Sequence, residues 1–120
     1  MKASVFYSWQ SDLPNNTNRG FIQRALETAL NSIKAEEELV IEPCVERDTA
    51  GVIGTPDIAS TIFRKIDEYQ IFVGDVSIIN STSRKARKTP NPNVLLELGY
   101  AARSLTWDNV ICVVNTAFGK

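Results

Sequence analysis

Residues 90–101 read PNPNVLLELGYA, and this stretch constrains the chain more than any other. Pro92 suits the first position of a helix, where its missing N–H removes no bond, and Asn91 before it is a good N-cap. The pattern predicts a helix from Asn93 to about Leu105, with Val94, Leu95, Leu98, Ala101, Ala102 and Leu105 forming a wide apolar face. Glu97 falls in the middle of that run, with leucine on both sides. A carboxylate there either snorkels at the edge of the core or has a task, because an isolated buried charge is costly. Asn93, Glu97 and the Tyr100/Ala101 pair share one face by three-and-four spacing, and Gly99 would let a neighbour approach the helix closely. Glu97 is the centre of the expected site.

The 120 residues suit a single domain, 1–120, large enough to bury a real core. A net charge of −1 gives no global attraction to nucleic acid or to an anionic membrane. With no apolar run near 18 residues and no signal-peptide pattern, the expected location is the cytoplasm. Histidine is absent, which removes every Ser-His or Cys-His triad within the chain and most zinc sites. Catalysis must then rest on carboxylates, hydroxyls, amides, Arg or Lys. Cys44 and Cys112 stand far apart in apolar contexts without metal or redox spacing, and are expected to be small buried hydrophobes.

Residues 2–7 (KASVFY) form a β-rich run, followed by a turn-prone segment at 13–16. A helix capped near Thr17 or Asn18 carries the apolar stripe Phe21/Ile22, Ala25/Leu26, Ala29/Leu30 and Ile33. Residues 39–45 (LVIEPCV) read as a second strand, and Pro43 within it argues for a sheet edge. A loop at 46–55 contains two glycines. Thr55 and Pro56 then open a second helix lined by Ile58, Ile62 and Ile66. Residues 71–76 (IFVGDV) are a third strand, 77–90 a long polar loop with Arg84, Lys85, Arg87 and Lys88, and 110–114 (VICVV) a fourth strand. Alternating strands and helices predict an α/β fold, a doubly wound parallel sheet covered on both faces. The expected strand order is flavodoxin-like, 2-1-3-4. Such sheets usually add another strand and helix, so the chain reads as the N-terminal part of a longer protein.

In open α/β sheets a ligand sits beyond the carboxyl ends of the strands, where the strand order reverses. That point falls between the first and third strands. Tyr7, Ser8, Trp9 and Asp12 leave the first strand, Asp75 leaves the third, and Arg47 and Asp48 lie in the loop after the second. Asn93 and Glu97 occupy the helix that begins nearby. These eight residues beside Glu97 are the candidate substrate contacts, with Glu97 the candidate catalytic group. Each also has a plainer reading. Asp75 could brace its loop, Trp9 could be core, and Arg47-Asp48 could be an ion pair worth little. The basic loop either is simply solvated or meets a phosphate or an acidic partner.

With these residues placed, the chain resembles a bacterial TIR-like domain. The resemblance rests on residues 6–12 (FYSWQSD), on Arg47-Asp48 with Gly54 and Pro56 in the so-called BB loop, and on NPNVLLELGYA at 91–101. It implies a flavodoxin-like fold and, in many members, NAD⁺ glycohydrolase activity used in antiphage defence or cell death. It also implies that Glu97 is the essential glutamate, and that subunits self-associate, often with a fused sensor domain beyond Lys120. Many such enzymes carry a tryptophan four residues before the glutamate, where this chain has Asn93.

That chemistry suits one carboxylate and no histidine. Nicotinamide leaves NAD⁺ as a neutral molecule from a pyridinium, so no general acid is needed, and a carboxylate stabilises the oxocarbenium-like ribose or bonds to it. NAD⁺ is then a substrate, and neither a metal nor a cofactor is required. Two other readings stand beside this one. Nucleoside 2-deoxyribosyltransferases carry a similar Glu-Leu-Gly-Tyr-Ala helix with the glutamate as nucleophile, and a non-enzymatic TIR-type assembly module would use residues 47–56 for subunit contacts.

Overall fold

The computed structural model describes residues 2–33, 38–43 and 55–120. Four strands, β1 (Lys2–Ser8), β2 (Glu38–Pro43), β3 (Ile71–Asp75) and β4 (Val110–Val113), form one parallel sheet in the order β2-β1-β3-β4. Helices α1 (Arg19–Ile33), α2 (Thr55–Glu68) and α3 (Pro92–Ser104) connect them. The crossover through α1 runs from β1 to β2, while those through α2 and α3 run the opposite way along the sheet. Right-handed crossovers therefore put α1 on one face and the α2–α3 pair on the other. Pro43 ends β2, which is an edge strand, the place in a sheet where a proline is best tolerated.

The core forms along the α2–α3 face and beneath α1. On β1 and β3, Phe6 and Phe72 are register partners whose rings stack at 5.8 Å, and Phe6 meets Tyr69 edge-on at 5.7 Å. Ile62 and Ile66 of α2 and Val94 and Ala101 of α3 are buried. From Phe72 to Asp75 every residue of β3 is buried, as a central parallel strand covered on both sides requires. Gly74 leaves room for its neighbours: a Cβ there would lie 2.9 Å from the Phe72 ring and 3.5 Å from Val94 of α3.

Several expectations need correction. The close-approach glycine is Gly74, not Gly99, because a Cβ on Gly99 meets open space among the described residues. The buried stripe of α3 is Val94, Glu97 and Ala101, flanked by Leu98 and Leu105, while Leu95 and Leu96 are exposed. A single sheet face selects one narrow arc of the helix, and Leu95 lies about 100° away from Val94. Likewise the α1 stripe narrows to Ile22, Leu26 and Leu30, leaving Phe21 and Ile33 outside. Cys112 is exposed, since β4 is an edge strand with Ile111 and Cys112 open to solvent. Cys44 lies outside the described residues.

Two polar devices complete the scaffold. Phe63 of α2 and Tyr100 of α3 stack at 4.2 Å, and the Tyr100 hydroxyl donates to Asp67 at 2.7 Å, with Ser104 donating to the same carboxylate. The loop before α3 closes on itself around Lys88, whose ammonium donates to the carbonyls of Asn80, Ser81 and Ser83. Asn80 adds bonds to the Arg87 carbonyl and the Thr89 N–H.

Gly74→Ala should push the Phe72 ring off its packing and destabilise the fold by about 1–3 kcal/mol, the usual range for overpacking. Denaturant unfolding measures this, and an unchanged midpoint would contradict the close approach of α3. The bonds from Ser104 and Tyr100 hold the Asp67 carboxyl below its usual range. Their stabilisation is present above the unfolded-state pKa and is lost as pH falls through the folded one. Acid unfolding of Asp67→Asn should accordingly show a weaker pH dependence than that of the wild type below about pH 4.

Candidate functional site

The site is built on the end of β1 and the first turns of α3. Asn91 caps the helix: its side-chain oxygen accepts from the N–H groups of Asn93 and Val94 at 2.8 and 3.2 Å, and Pro92 follows at the first helical position. The Asn91 amide also donates to Asp12 at 2.6 Å, which ties the helix start to the segment leaving β1. This clamp sets the height and rotation of α3. Glu97, one and a half turns in, then points at the sheet.

Glu97 is only 1% exposed, and its Oε1 accepts a 2.8 Å hydrogen bond from the Ser8 hydroxyl. Ser8 is itself buried and pairs in register with Gly74, so the carboxylate sits where the sheet offers least bulk. A hydrogen-bonded hydroxyl fixes the rotamer of a buried acid and offsets part of its desolvation.

A second polar cluster lies on the other side of the sheet. Asp75 follows Gly74, and successive strand residues alternate faces, so it turns toward α1 rather than α3. It is fully buried, accepting from Gln10 Nε2 at 2.8 Å, Asn18 Nδ2 at 3.0 Å and the Ser77 N–H at 3.1 Å. Ser77 Oγ accepts from Asn18 and from the Asn115 N–H, and Asn115 Nδ2 donates to the Thr17 carbonyl. The cluster thus ties the exits of β1, β3 and β4 to the start of α1. Gln10 and Ser77 fall within the segments expected to leave β1 and β3 without being singled out, and Asn18 and Asn115 lie outside the expected site. Short polar residues just beyond strand ends are the signal that could have drawn attention to them.

The remaining candidates divide among these surroundings. Tyr7 is buried on the α1 face, donating its hydroxyl to the Arg19 carbonyl at 3.1 Å. Burial pushes its phenol above the ordinary range; the charge of Asp75 adds to the shift and Arg19 opposes it. Trp9 is buried with the Arg19 guanidinium 3.5 Å from its ring centroid. Asp12 is exposed and engaged with Asn91, and Asn93 is exposed in the first turn of α3. Ser8 is the candidate contact that bonds Glu97 among those described. Arg47 and Asp48 lie outside the described residues. Among the described residues no group of three or more Cys, Asp and Glu side chains is arranged to hold a metal ion, and no helix is long and apolar enough to cross a membrane.

Compared with protein-family models and with curated proteins, the chain has no match. Among solved structures it is similar to a 2-desoxiribosyltransferase from Leishmania mexicana, with a TM-score of 0.47 and 14% identity. That similarity covers 93% of this chain and 63% of the other, so the chain spans less than two thirds of the length of that structure.

Removing the Asp75 carboxylate takes this acceptor from the buried Gln10 amide and Ser77 N–H, and leaves Asn18 Nδ2 with Ser77 Oγ. Asp75→Ala should therefore destabilise the protein by about 2–4 kcal/mol, and Asp75→Asn by less because it keeps one acceptor. Equilibrium unfolding in urea separates the two. Equal, small losses would mean that the cluster does not hold the strand ends together.

Proposed function

We propose that this chain acts at the anomeric carbon of an N-riboside, breaking or exchanging its N-glycosidic bond, with Glu97 as the carboxylate that meets C1′. The observation that carries this reading is a buried glutamate at the carboxyl edge of β1, oriented by the Ser8 hydroxyl at 2.8 Å, in a chain without histidine. When the C1′–N bond breaks, its electron pair leaves with the base. The ribose becomes oxocarbenium-like, and the carboxylate stabilises it or closes on C1′ as a glycosyl ester. Water then releases the sugar in a hydrolase, and a second base displaces it in a transferase. At 1% exposure Glu97 is reached only when its covering side chains part.

Two substrates fit this chemistry. The TIR-like motifs support NAD⁺ glycohydrolase activity, in which nicotinamide departs neutral and needs no general acid. On this reading the domain is a defence effector activated by self-association through the loop around Arg47 and Asp48. A nucleoside 2-deoxyribosyltransferase-like reaction is favoured instead by the aromatic surroundings. Trp9 is buried with Arg19 across its ring, and Asn93 replaces the tryptophan of many TIR enzymes. Neither residue presents an open stacking face for nicotinamide.

Glu97→Gln keeps size and an acceptor for Ser8 while removing the charge. It should lower turnover by about 10²–10³, corresponding to about 3–4 kcal/mol, with the melting temperature unchanged or raised. The measurement is nicotinamide release from NAD⁺, and base exchange on a 2′-deoxynucleoside, by both proteins at matched oligomeric state. Equal rates end the catalytic assignment. A folded wild type with neither activity favours the assembly module.

A further inference from the structure

Two amide side chains, Gln10 and Asn91, each bond at both ends, and they stand in series between Asp75 and the helix of Glu97. Gln10 is 2% exposed, so both ends of its amide need partners within the protein. Its Nε2 donates to Asp75 at 2.8 Å, and its Oε1 accepts from the Leu13 N–H at 3.0 Å. The first bond fixes the side chain to the end of β3. The second fixes the shape of residues 10–13 relative to that end. Asn18 and the Ser77 N–H also serve the Asp75 carboxylate, so what Gln10 adds is the closed turn.

What the turn presents is Asp12. It lies within residues 10–13, exposed, and its carboxylate accepts from Asn91 Nδ2 at 2.6 Å. The other end of the Asn91 amide caps α3, since its Oδ1 accepts from the N–H groups of Asn93 and Val94. Glu97 follows six positions beyond Asn91, about 9 Å along the helix axis. Its carboxylate returns to Ser8, two residues before Gln10. These bonds close a ring: from Ser8 through the turn to Asp12, across to Asn91, along α3 to Glu97, and back to Ser8. Gln10 pins that ring to Asp75 on the opposite face of the sheet.

We infer that Gln10 is a positioning residue for Glu97, acting through Asp12 and Asn91 to set where the carboxylate stands at the end of β1. Its effect on turnover rests on the catalytic reading of Glu97, whereas its effect on the position of the side chain does not. A small displacement is enough to matter, because a reacting group misplaced by about 1 Å can lose about a hundredfold in rate. The buried Asp75 cluster thereby serves the site from the far face of the sheet.

Gln10→Met keeps the size of the side chain and removes both of its hydrogen bonds, and Asp12→Ala cuts the same route at an exposed residue. Two signals are compared with those of the wild type: hydrogen exchange at the Asn93 and Val94 amides, and the NMR resonance of the Glu97 carboxyl carbon. Both variants should speed exchange at these amides about fivefold, as a weakened helix cap does. Both should shift the Glu97 resonance while the amides of α2 stay unchanged. The double variant should go no further than the larger single change, because both substitutions cut one path. In nicotinamide release from NAD⁺ or base exchange on a 2′-deoxynucleoside, kcat should fall about ten- to a hundredfold with KM nearly constant. A less stable Gln10→Met protein whose cap amides and Glu97 resonance stay at wild-type values overturns the inference and leaves Gln10 a support for Asp75 alone. Should Gln10→Met not fold, Asp12→Ala decides: a shifted Glu97 resonance upholds the route and an unmoved one overturns it. Shifted signals in a protein whose wild type turns over no riboside uphold the positioning route and remove the catalytic reading. Unshifted signals in a protein that needs Glu97 for turnover do the reverse.

Discussion

A carboxylate taken out of water must be given a partner, and much of this structure follows from where Glu97 finds one. The Ser8 hydroxyl stands at the last residue of β1, so α3 must lie across β1 and β3 at one height and one rotation. That pose presses the helix onto the sheet opposite Gly74, the one residue of β3 without a side chain. The helix start is held independently by the Asn91 cap and its bond to Asp12. A helix fixed at its first turn and again at Glu97 has little freedom to roll. Such two-point support holds a buried side chain in one narrow position.

The pleat of the sheet separates two carboxylates that the linear order suggests should work together. Gly74 belongs to the face of Ser8 and Glu97, and Asp75, one residue later, belongs to the face of α1. Their surroundings differ accordingly. Asp75 is surrounded by neutral amide and backbone donors that join three strand exits, an arrangement that rigidifies a buried polar centre. Glu97 sits on a helix that a long loop introduces, at the edge where open α/β sheets receive ligands. The first cluster joins the strand exits on the α1 face, and the second links α3 to the end of β1 on the other.

Charge is distributed as unevenly as polarity. A net charge of −1 conceals a basic segment in which one lysine is structural and three neighbouring cations are not. Counting charges over the whole chain cannot reveal such a division, because the field near a site depends on the few groups within a Debye length of it. The same loop leads into the helix of Glu97, so the cationic surface and the buried acid share one short piece of chain.

The boundaries of α3 to within a residue, the alternation of strands and helices, the cap at Asn91 and the position of Glu97 on the apolar face of α3 were all legible in the residues. Each depends on interactions within a few positions: a proline at the first turn, a 3.6-residue stripe, a run of β-branched and aromatic side chains. Ser8, which bonds Glu97, is by contrast 89 positions away in sequence, and Gln10 and Asn18, which bond Asp75, are 65 and 57 away. Nor could local pattern tell that Leu95 and Phe21 would stay exposed, that Cys112 would face solvent on an edge strand, or that Gly74 rather than Gly99 would receive the close contact. The sequence by itself determined which segments became helix and strand, because those preferences are set by neighbouring backbone and side-chain sterics. Only the tertiary structure decided which arc of each helix met the sheet and which side of the pleat each acid took, because both depend on strand pairing between segments far apart in the chain.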